Sequence, residues 1–163
     1  MGTKAIPEGY HSVTPYLTVD DAKAAIRFYE QAFGATEVLR LPMGDKIGHA
    51  EVRIGDSMVM LSDEWLEYGK LGPKARGGAT ATLMIYLEDV DAAYARALAA
   101  GATAERPVED QFYGDRSGSV TDPFGHSWTL STHVEDVGEE EMQRRMAAWS
   151  AGEQAQPVQP QPA

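Results

Sequence analysis

Apolar and polar positions follow a helical period in the first part of the chain. Residues 14–21 form a short run rich in β-forming residues that ends in the acidic pair Asp20-Asp21, which can cap a helix. After this pair, apolar side chains recur at helical spacing, at Ala22, Ala25, Ile26, Tyr29 and Phe33. Gly34 then follows as a C-terminal stop. The pattern predicts a strand followed by an amphipathic helix.

The same pattern occurs a second time along the chain. Residues 82–89 are again a β-rich run that ends in an acidic pair. A second apolar stripe follows at Val90, Ala93, Tyr94 and Ala97. Thr14 and Thr82 are 68 positions apart, and the stop glycines Gly34 and Gly101 are 67 positions apart. Two copies with such a long period are typical of a duplicated half-domain and not of a solenoid.

Each predicted helix is followed by two strand-like runs joined by a tight turn. Residues 47–62 predict two strands around the Gly-Asp pair at 55–56, which suits a two-residue hairpin turn. Residues 117–133 predict two strands around the Asp-Pro-Phe-Gly sequence at 122–125, with proline and glycine where a type I turn favours them. The order in each half is therefore strand, helix and further strands.

The last part of the chain predicts a helix and a tail. Residues 139–149 place Met142, Met146 and Trp149 on one face of an amphipathic helix, which we expect to dock on the domain or on a second subunit. Residues 151–163 contain a Gln-Pro alternation and have almost nothing to bury, so we predict a disordered tail there.

Composition narrows the classes of function. A chain of 163 residues is long enough for one domain with its own core. Its 14 Lys and Arg against 25 Asp and Glu give a net charge of -11, which argues against nucleic acid and anionic membranes as partners. The absence of cysteine excludes disulfides, thiolate zinc sites and cysteine nucleophiles. Because no signal-peptide or membrane-span pattern is visible, we expect a cytoplasmic protein.

Several short sequences resemble a known superfamily. The repeat, together with the segments 19–22 (Val-Asp-Asp-Ala), 33–35 (Phe-Gly-Ala) and 122–126 (Asp-Pro-Phe-Gly-His), resembles the vicinal oxygen chelate superfamily of glyoxalases, bleomycin-resistance proteins and extradiol dioxygenases. The segments 48–51 (Gly-His-Ala-Glu) and 107–116 resemble its glyoxalase-like, or PhnB-like, subgroup.

This resemblance implies an α+β fold in which two βαβββ modules form a half-open mixed β-barrel around a cavity, with the helices outside. It implies one domain at 10–149, with module one at about 10–66, module two at about 80–133 and a short C-terminal helix at about 139–149. Because members of the superfamily are usually homodimers, we expect a second copy of the chain and a small-molecule ligand as partners.

Metal-using members of the superfamily hold their ion with residues from the first and last strands of each module. By resemblance these positions fall on Thr14, Met60, Thr82 and Thr129. A catalytic divalent ion prefers imidazole nitrogen or carboxylate oxygen, so we expect no metal at the usual site. A different metal site is open only to His49 and Glu51, which strand alternation places on the cavity face when Ala50 and Val52 meet the helices.

Further candidates for ligand contact are the residues that strand parity or the resemblance places toward the cavity. They are Tyr16, Met58, Met60, Met84, Phe112, Tyr113, Arg116 and Thr129. The methionines have an alternative role as core side chains. His49 and Glu51 have one as a solvated or hydrogen-bonded pair. Trp128 has the opposite parity from Thr129 and is expected in the core on the helix side.

The segment with Phe112, Tyr113 and Arg116 also has two interpretations. Aromatic residues beside an arginine on a glycine-containing loop or strand often contact a ligand. Alternatively, the aromatic residues pack between subunits, and Arg116 pairs internally with Asp115 or Asp122.

Together these observations favour a homodimeric small-molecule-binding protein without the usual metal, of the kind that sequesters a drug or metabolite. The alternative is an enzyme of glyoxalase, lyase, epimerase or dioxygenase type that uses His49 and Glu51 as metal ligands or as acid and base. Binding requires apolar walls and few polar anchors, whereas the enzyme requires a metal or a positioned base with a shifted pKa.

Overall fold

The computed structural model describes residues 2–154 and contains both predicted modules. Module one consists of β1 (Tyr16–Val19), α1 (Ala22–Phe33), β2 (Thr36–Met43), β3 (Lys46–Ile54) and β4 (Ser57–Asp63). A 3-10 turn at Leu66–Tyr68 and the short helix α2 (Pro73–Arg76) connect it to the second module. Module two consists of β5 (Thr82–Tyr86), α3 (Val90–Ala99), β6 (Thr103–Asp110), β7 (Asp115–Thr121) and β8 (Ser127–His133), and α4 (Glu139–Gln154) follows.

Both module helices begin as the acidic pairs predict. The Asp21 carboxylate accepts a hydrogen bond from the backbone N–H three residues later, at 2.9 Å. The Asp89 carboxylate makes the equivalent contact at the start of α3, also at 2.9 Å. α1 ends at Gly34, whose left-handed φ of 66° is one that glycine adopts without strain. The predicted starts of both helices and the end of α1 are therefore confirmed, whereas α3 ends at Ala99 with Ala100 as its cap, one residue before the predicted stop Gly101.

Within the described residues, the eight strands form two separate four-stranded sheets. The spatial order is β1-β4-β3-β2 in sheet one and β5-β8-β7-β6 in sheet two. In each sheet the first and last strands of the module are parallel neighbours, and the other pairs are antiparallel. The predicted α+β class with two βαβββ modules is confirmed.

The two predicted hairpins are present, and one has an unexpected register. Gly55 and Asp56 separate β3 from β4, as the sequence predicts. Between β7 and β8 the Gly125 N–H donates to the Asp122 carbonyl at 3.0 Å, and the Asp122 N–H donates to the His126 carbonyl at 2.9 Å. His126 thus belongs to the turn and not to β8, so the connection is one residue longer than the predicted four-residue turn.

An aromatic and hydrogen-bonded junction joins the two modules where α1 packs against α3. The Trp128 ring lies 4.8 Å from the Phe33 ring and 5.4 Å from the Tyr29 ring, measured between centroids. The buried Asp122 carboxylate accepts hydrogen bonds from the Tyr29 hydroxyl at 2.8 Å and from Trp128 Nε1 at 2.9 Å. Burial raises the pKa of Tyr29 well above its ordinary value, and the Asp122 carboxylate adds to this. Trp128 therefore lies in the helix-side core, as predicted.

The C-terminal helix is longer than the sequence pattern predicts. α4 continues from Glu139 to Gln154, so the prediction of disorder is wrong for residues 151–154. These residues favour or tolerate a helix, and the first proline of the Gln-Pro run is only at Pro157. The remainder of the predicted disordered tail, 155–163, lies outside the described residues. No helix in the described part of the chain has both the length and the apolar character needed to cross a membrane.

Candidate functional site

The faces of the two sheets that lie opposite the helices carry most of the predicted site residues. In β3, Ala50 and Val52 are fully buried on the helix side, so His49 and Glu51 lie on the other face. Register adds neighbours from β1 and β4, and the open face of sheet one includes Tyr16, His49, Glu51, Arg53, Met58 and Met60. The open face of sheet two comprises Met84, Tyr86, Asp115, Ser117, Ser119, Thr129, Ser131 and His133.

A chain of hydrogen bonds crosses the open face of sheet one. The Tyr10 hydroxyl donates to Glu51 Oε2, and His49 Nε2 lies 3.1 Å from Glu51 Oε1. The Tyr16 hydroxyl lies 2.9 Å from His49 Nδ1. An ionised carboxylate only accepts, so we assign the Nε2 proton to His49, and Nδ1 of the neutral ring then accepts from Tyr16. The predicted pair of His49 and Glu51 is thus hydrogen-bonded, and two tyrosines extend it.

The Tyr10 contact favours the ionised form of Glu51 and the protonated form of Tyr10. The hydrogen bond from Tyr10 lowers the pKa of Glu51, and the smaller contribution of His49 acts in the same direction, whereas burial opposes both. The same hydrogen bond raises the pKa of Tyr10 to about 12. At neutral pH the site therefore combines an ionised Glu51 with a protonated Tyr10.

Cavities adjoin this face on two sides. One, of about 530 Å³, lies between residues 5–14, which we call the N-terminal segment, and sheet one, and Glu51 and Met60 are on its wall. Another, of about 510 Å³, lies between the modules and includes Met58 and Met84. Both volumes are in the range of small-molecule sites. Tyr16 lines a third cavity, of about 490 Å³, beside the connection between the modules.

The donors at the four expected metal positions do not fit a catalytic divalent ion. Thr14 and Met60 line the cavity of about 530 Å³ and offer a hydroxyl and a thioether. Thr129 lies on sheet two, where its hydroxyl is 3.0 Å from Ser119 Oγ, and the Thr82 hydroxyl donates to Ser127 Oγ at 3.3 Å. These groups are neither imidazoles nor carboxylates, which such an ion prefers.

The other candidate pair for a metal, His49 and Glu51, has no third His, Cys, Asp or Glu beside it among residues 2–154. Nε2 of His49 and Oε1 of Glu51 already contact each other. Across the described residues, no group of three or more His, Cys, Asp or Glu is arranged to hold an ion. The arrangement suits hydrogen bonding and proton transfer better than metal coordination.

Phe112, Tyr113 and Arg116, three predicted contact residues of module two, have their recorded partners away from the hydrogen bonds of His49 and Glu51. The Phe112 ring packs against Trp149 of α4, with 5.7 Å between ring centroids, and the Tyr113 hydroxyl lies 3.4 Å from Ser117 Oγ. Arg116 lies on the helix side of β7 and makes two hydrogen bonds of 2.8 Å to the Asp91 carboxylate in α3. It also contacts Asp110, so its internal partners differ from the predicted Asp115 and Asp122.

Sheet two contains a carboxylate cluster that the sequence did not indicate. Asp115 accepts hydrogen bonds from Tyr86 at 2.8 Å and from Ser131 at 3.0 Å, and it contacts His133 Nδ1 at 2.8 Å. Burial raises the pKa of Asp115, but the hydrogen bonds, led by that of His133, bring it below its ordinary value. The hydrogen bonds to Asp115 and Asp136 raise the pKa of His133. The cluster is satisfied within the molecule.

Comparison with known proteins supports the fold and its family. Residues 9–130 match the model of the glyoxalase/bleomycin resistance protein/dioxygenase superfamily. The chain is 44% identical over 145 residues to the uncharacterized protein Mb0911c of Mycobacterium bovis, which covers 86% of this chain and 95% of that protein.

Solved structures show the same fold. The crystal structure of TioX from Micromonospora sp. ML1 is similar with a TM-score of 0.59 and 26% identity, over 78% of this chain and 100% of that one. A PhnB protein from Bacillus cereus is similar in fold, with a TM-score of 0.59 and 18% identity over 75% of this chain and 99% of that one. With the family match over most of the chain, these findings show that the protein belongs to the glyoxalase/bleomycin resistance protein/dioxygenase superfamily.

Proposed function

We propose that this chain is a cytoplasmic, homodimeric protein that binds a small amphipathic molecule without a metal and sequesters it. The observation that carries the proposal is the pair of cavities beside the open face of sheet one. Four of the predicted contact residues line them, namely Glu51, Met58, Met60 and Met84. Apolar walls with a few polar anchors are what binding without catalysis requires.

The proposal of a homodimer rests on apolar side chains that the single chain leaves exposed. Leu41 and Met43 on β2 and Met84 and Tyr86 on β5 are each between 44% and 62% exposed. Both pairs lie on edge strands, and we infer that a second copy of the chain covers them. Sedimentation equilibrium should therefore give twice the chain mass, and a monomer at micromolar concentration would contradict it.

Binding without metal is tested with 2-methoxynaphthalene, a neutral aromatic ether whose fluorescence reports its environment. We expect saturable binding that chelation with EDTA leaves unchanged, and elemental analysis that finds no stoichiometric transition metal. Loss of binding on chelation would overturn the metal-free function. Absence of binding would overturn the binding function as a whole.

The location of the probe is tested with matched methionine variants. Met60→Lys and Met84→Lys place a charge on the wall of one cavity each. Affinity at that cavity should fall by about tenfold or more, because a bound apolar probe would take the ammonium out of water. Met146→Lys is the control, since Met146 on α4 is 47% exposed and Met84 is 44% exposed. If both cavity variants bind like the control, the cavities are not the site.

The chain of Tyr16, His49 and Glu51 favours a second candidate, an acid–base enzyme. A histidine that is oriented by a carboxylate and contacts a phenol can transfer a proton to or from a substrate. Phenylacetaldehyde in D₂O tests it, because an acid–base enzyme would accelerate exchange of the hydrogens next to its carbonyl. His49→Gln would abolish that acceleration, whereas a binding protein leaves the exchange at the buffer rate.

A further inference from the structure

The two oxygens of Glu51 bind donors that are attached to the fold in different ways. Oε1 contacts His49, two residues away on the same strand, at 3.1 Å. Oε2 accepts from Tyr10, which lies in the N-terminal segment, and that segment contains neither a helix nor a strand. The contact with His49 is maintained by β3 itself. The contact with Tyr10 can open without the loss of any hydrogen bond between strands.

The cavity of about 530 Å³ beside this contact has the carboxylate Glu51 on its wall and no lysine or arginine to balance it, and His11 is the one histidine among its lining residues. Its apolar wall consists of Ala5, Ile6, Pro7 and Met60. An anion entering here would meet a carboxylate in a chain of net charge -11. A neutral or cationic donor would meet an ionised acceptor, which gives a stronger hydrogen bond than a neutral one.

We propose that the ligand is an apolar, aromatic molecule with a hydroxyl or ammonium donor, and that this donor replaces the Tyr10 hydroxyl on Glu51. The inference rests on the function proposed above and adds the chemical class of the ligand. Tyr10 is itself a phenol whose hydroxyl binds Glu51 at the edge of an apolar cavity. It therefore acts as an internal substitute for the ligand and shows which chemistry the site accepts.

Four naphthalenes of similar size test the class of ligand by fluorescence titration of the full chain at neutral pH. They are 2-naphthol as neutral donor, 2-naphthylmethylamine as cationic donor, 2-methoxynaphthalene without a donor, and 2-naphthoate as anion. In the wild-type chain we expect both donors to bind more tightly than 2-methoxynaphthalene but by less than about tenfold, because their hydrogen bond to the charged Glu51 replaces the one from Tyr10. The naphthoate should bind most weakly.

Tyr10→Phe tests the replacement directly, since it keeps the aromatic ring and removes the competing hydroxyl. We expect the two donors to bind roughly tenfold more tightly than to the wild-type chain, with 2-methoxynaphthalene unchanged. Glu51→Gln should reduce the donors to the affinity of 2-methoxynaphthalene. Tyr68→Phe is the control, because Tyr68 is 82% exposed and lies on the 3-10 turn; it should change none of the affinities.

Several outcomes separate this inference from the binding function. Equal affinity for 2-naphthoate and 2-naphthol would overturn the donor class while the binding function stands. Weaker binding of all probes to Tyr10→Phe would overturn the replacement and make Tyr10 a fixed wall of the cavity. Failure of all four probes to bind would overturn both.

Discussion

Each sheet carries a carboxylate that contacts a tyrosine and a histidine on its open face, and the two clusters differ in the origin of their donors. In sheet two, Asp115 is 3% exposed, and its donors Tyr86, Ser131 and His133 all belong to strands of the same sheet. The whole cluster is therefore assembled by strand pairing and needs no segment outside the sheet.

In sheet one the corresponding cluster depends on a segment outside the sheet. Glu51 contacts His49 on its own strand, but its other donor is Tyr10 in the N-terminal segment. The same three chemical groups thus serve two purposes. Where all donors lie on strands, we expect the carboxylate to stabilise the fold; where one donor lies outside the sheet, we propose that a ligand can take its place.

Removal of each carboxylate should reveal the largest difference in stability between the two sheets. Asp115→Ala leaves the buried Ser131 hydroxyl without its acceptor, and we expect a loss of about 2 to 4 kcal/mol in the free energy of unfolding. The ion pair with the half-exposed His133 contributes little of this. Glu51→Ala should cost less than about 1 kcal/mol, because solvent can reach its donors. Urea denaturation measures both, and equal losses would show that the two carboxylates have the same role.

The helix caps should show where the two modules remain equivalent. Asp21→Ala and Asp89→Ala each remove one hydrogen bond of 2.9 Å at a helix start, so each should cost about 1 kcal/mol. Glu88→Ala is the control, since Glu88 is exposed beside the cap, and it should change stability by less than about 0.5 kcal/mol. Thermal unfolding measures all three variants. A large difference between the two cap variants would mean that the modules differ in how their helices are stabilised, and not only in the side chains of their open faces.

The smallest expected effect is a pH dependence confined to sheet two. The hydrogen bonds to Asp115 and then to Asp136 raise the pKa of His133 above its ordinary 6.5. Its contribution is therefore complete below that value and is lost as pH rises through the higher pKa of the folded state. The stability difference between wild type and His133→Gln should thus be larger near about pH 5.5 than near about pH 8.5. Urea denaturation at both values measures it, and a difference that grows with pH would contradict the assignment.

Glu51 should not contribute to this dependence. Its pKa lies below the ordinary 4.5, so its contribution to stability is lost only as pH falls through that lower value. A Glu51→Gln variant should therefore keep the pH profile of the wild-type chain over the same range.

The face on which a strand residue lies was predictable where burial is one-sided. His49 and Glu51 were assigned correctly because Ala50 and Val52 need the core. The face on which Arg116 lies could not be assigned in this way. Its neighbours Asp115 and Ser117 are both polar, so neither shows which face of the strand is buried. Its position toward the helices follows from the strand register and from its contact with Asp91.

The cluster around Asp115 was hidden by one residue of register. A four-residue turn at 122–125 would place Asp115 opposite Thr132, whereas the longer turn that includes His126 places it opposite His133. Since a shift of one residue turns a side chain to the other face, the sequence pattern could not indicate this contact.

The amino-acid sequence alone is sufficient for the duplicated order of strands and helices, the helix starts and the turn between β3 and β4, because these depend on periodicity and on contacts between near neighbours. It also determined that hydroxyls and a thioether stand at the expected metal positions. The donors that reach each carboxylate are known only from the tertiary structure. Tyr10 and Glu51 are 41 residues apart, and their contact depends on the path of a segment that has no periodic pattern.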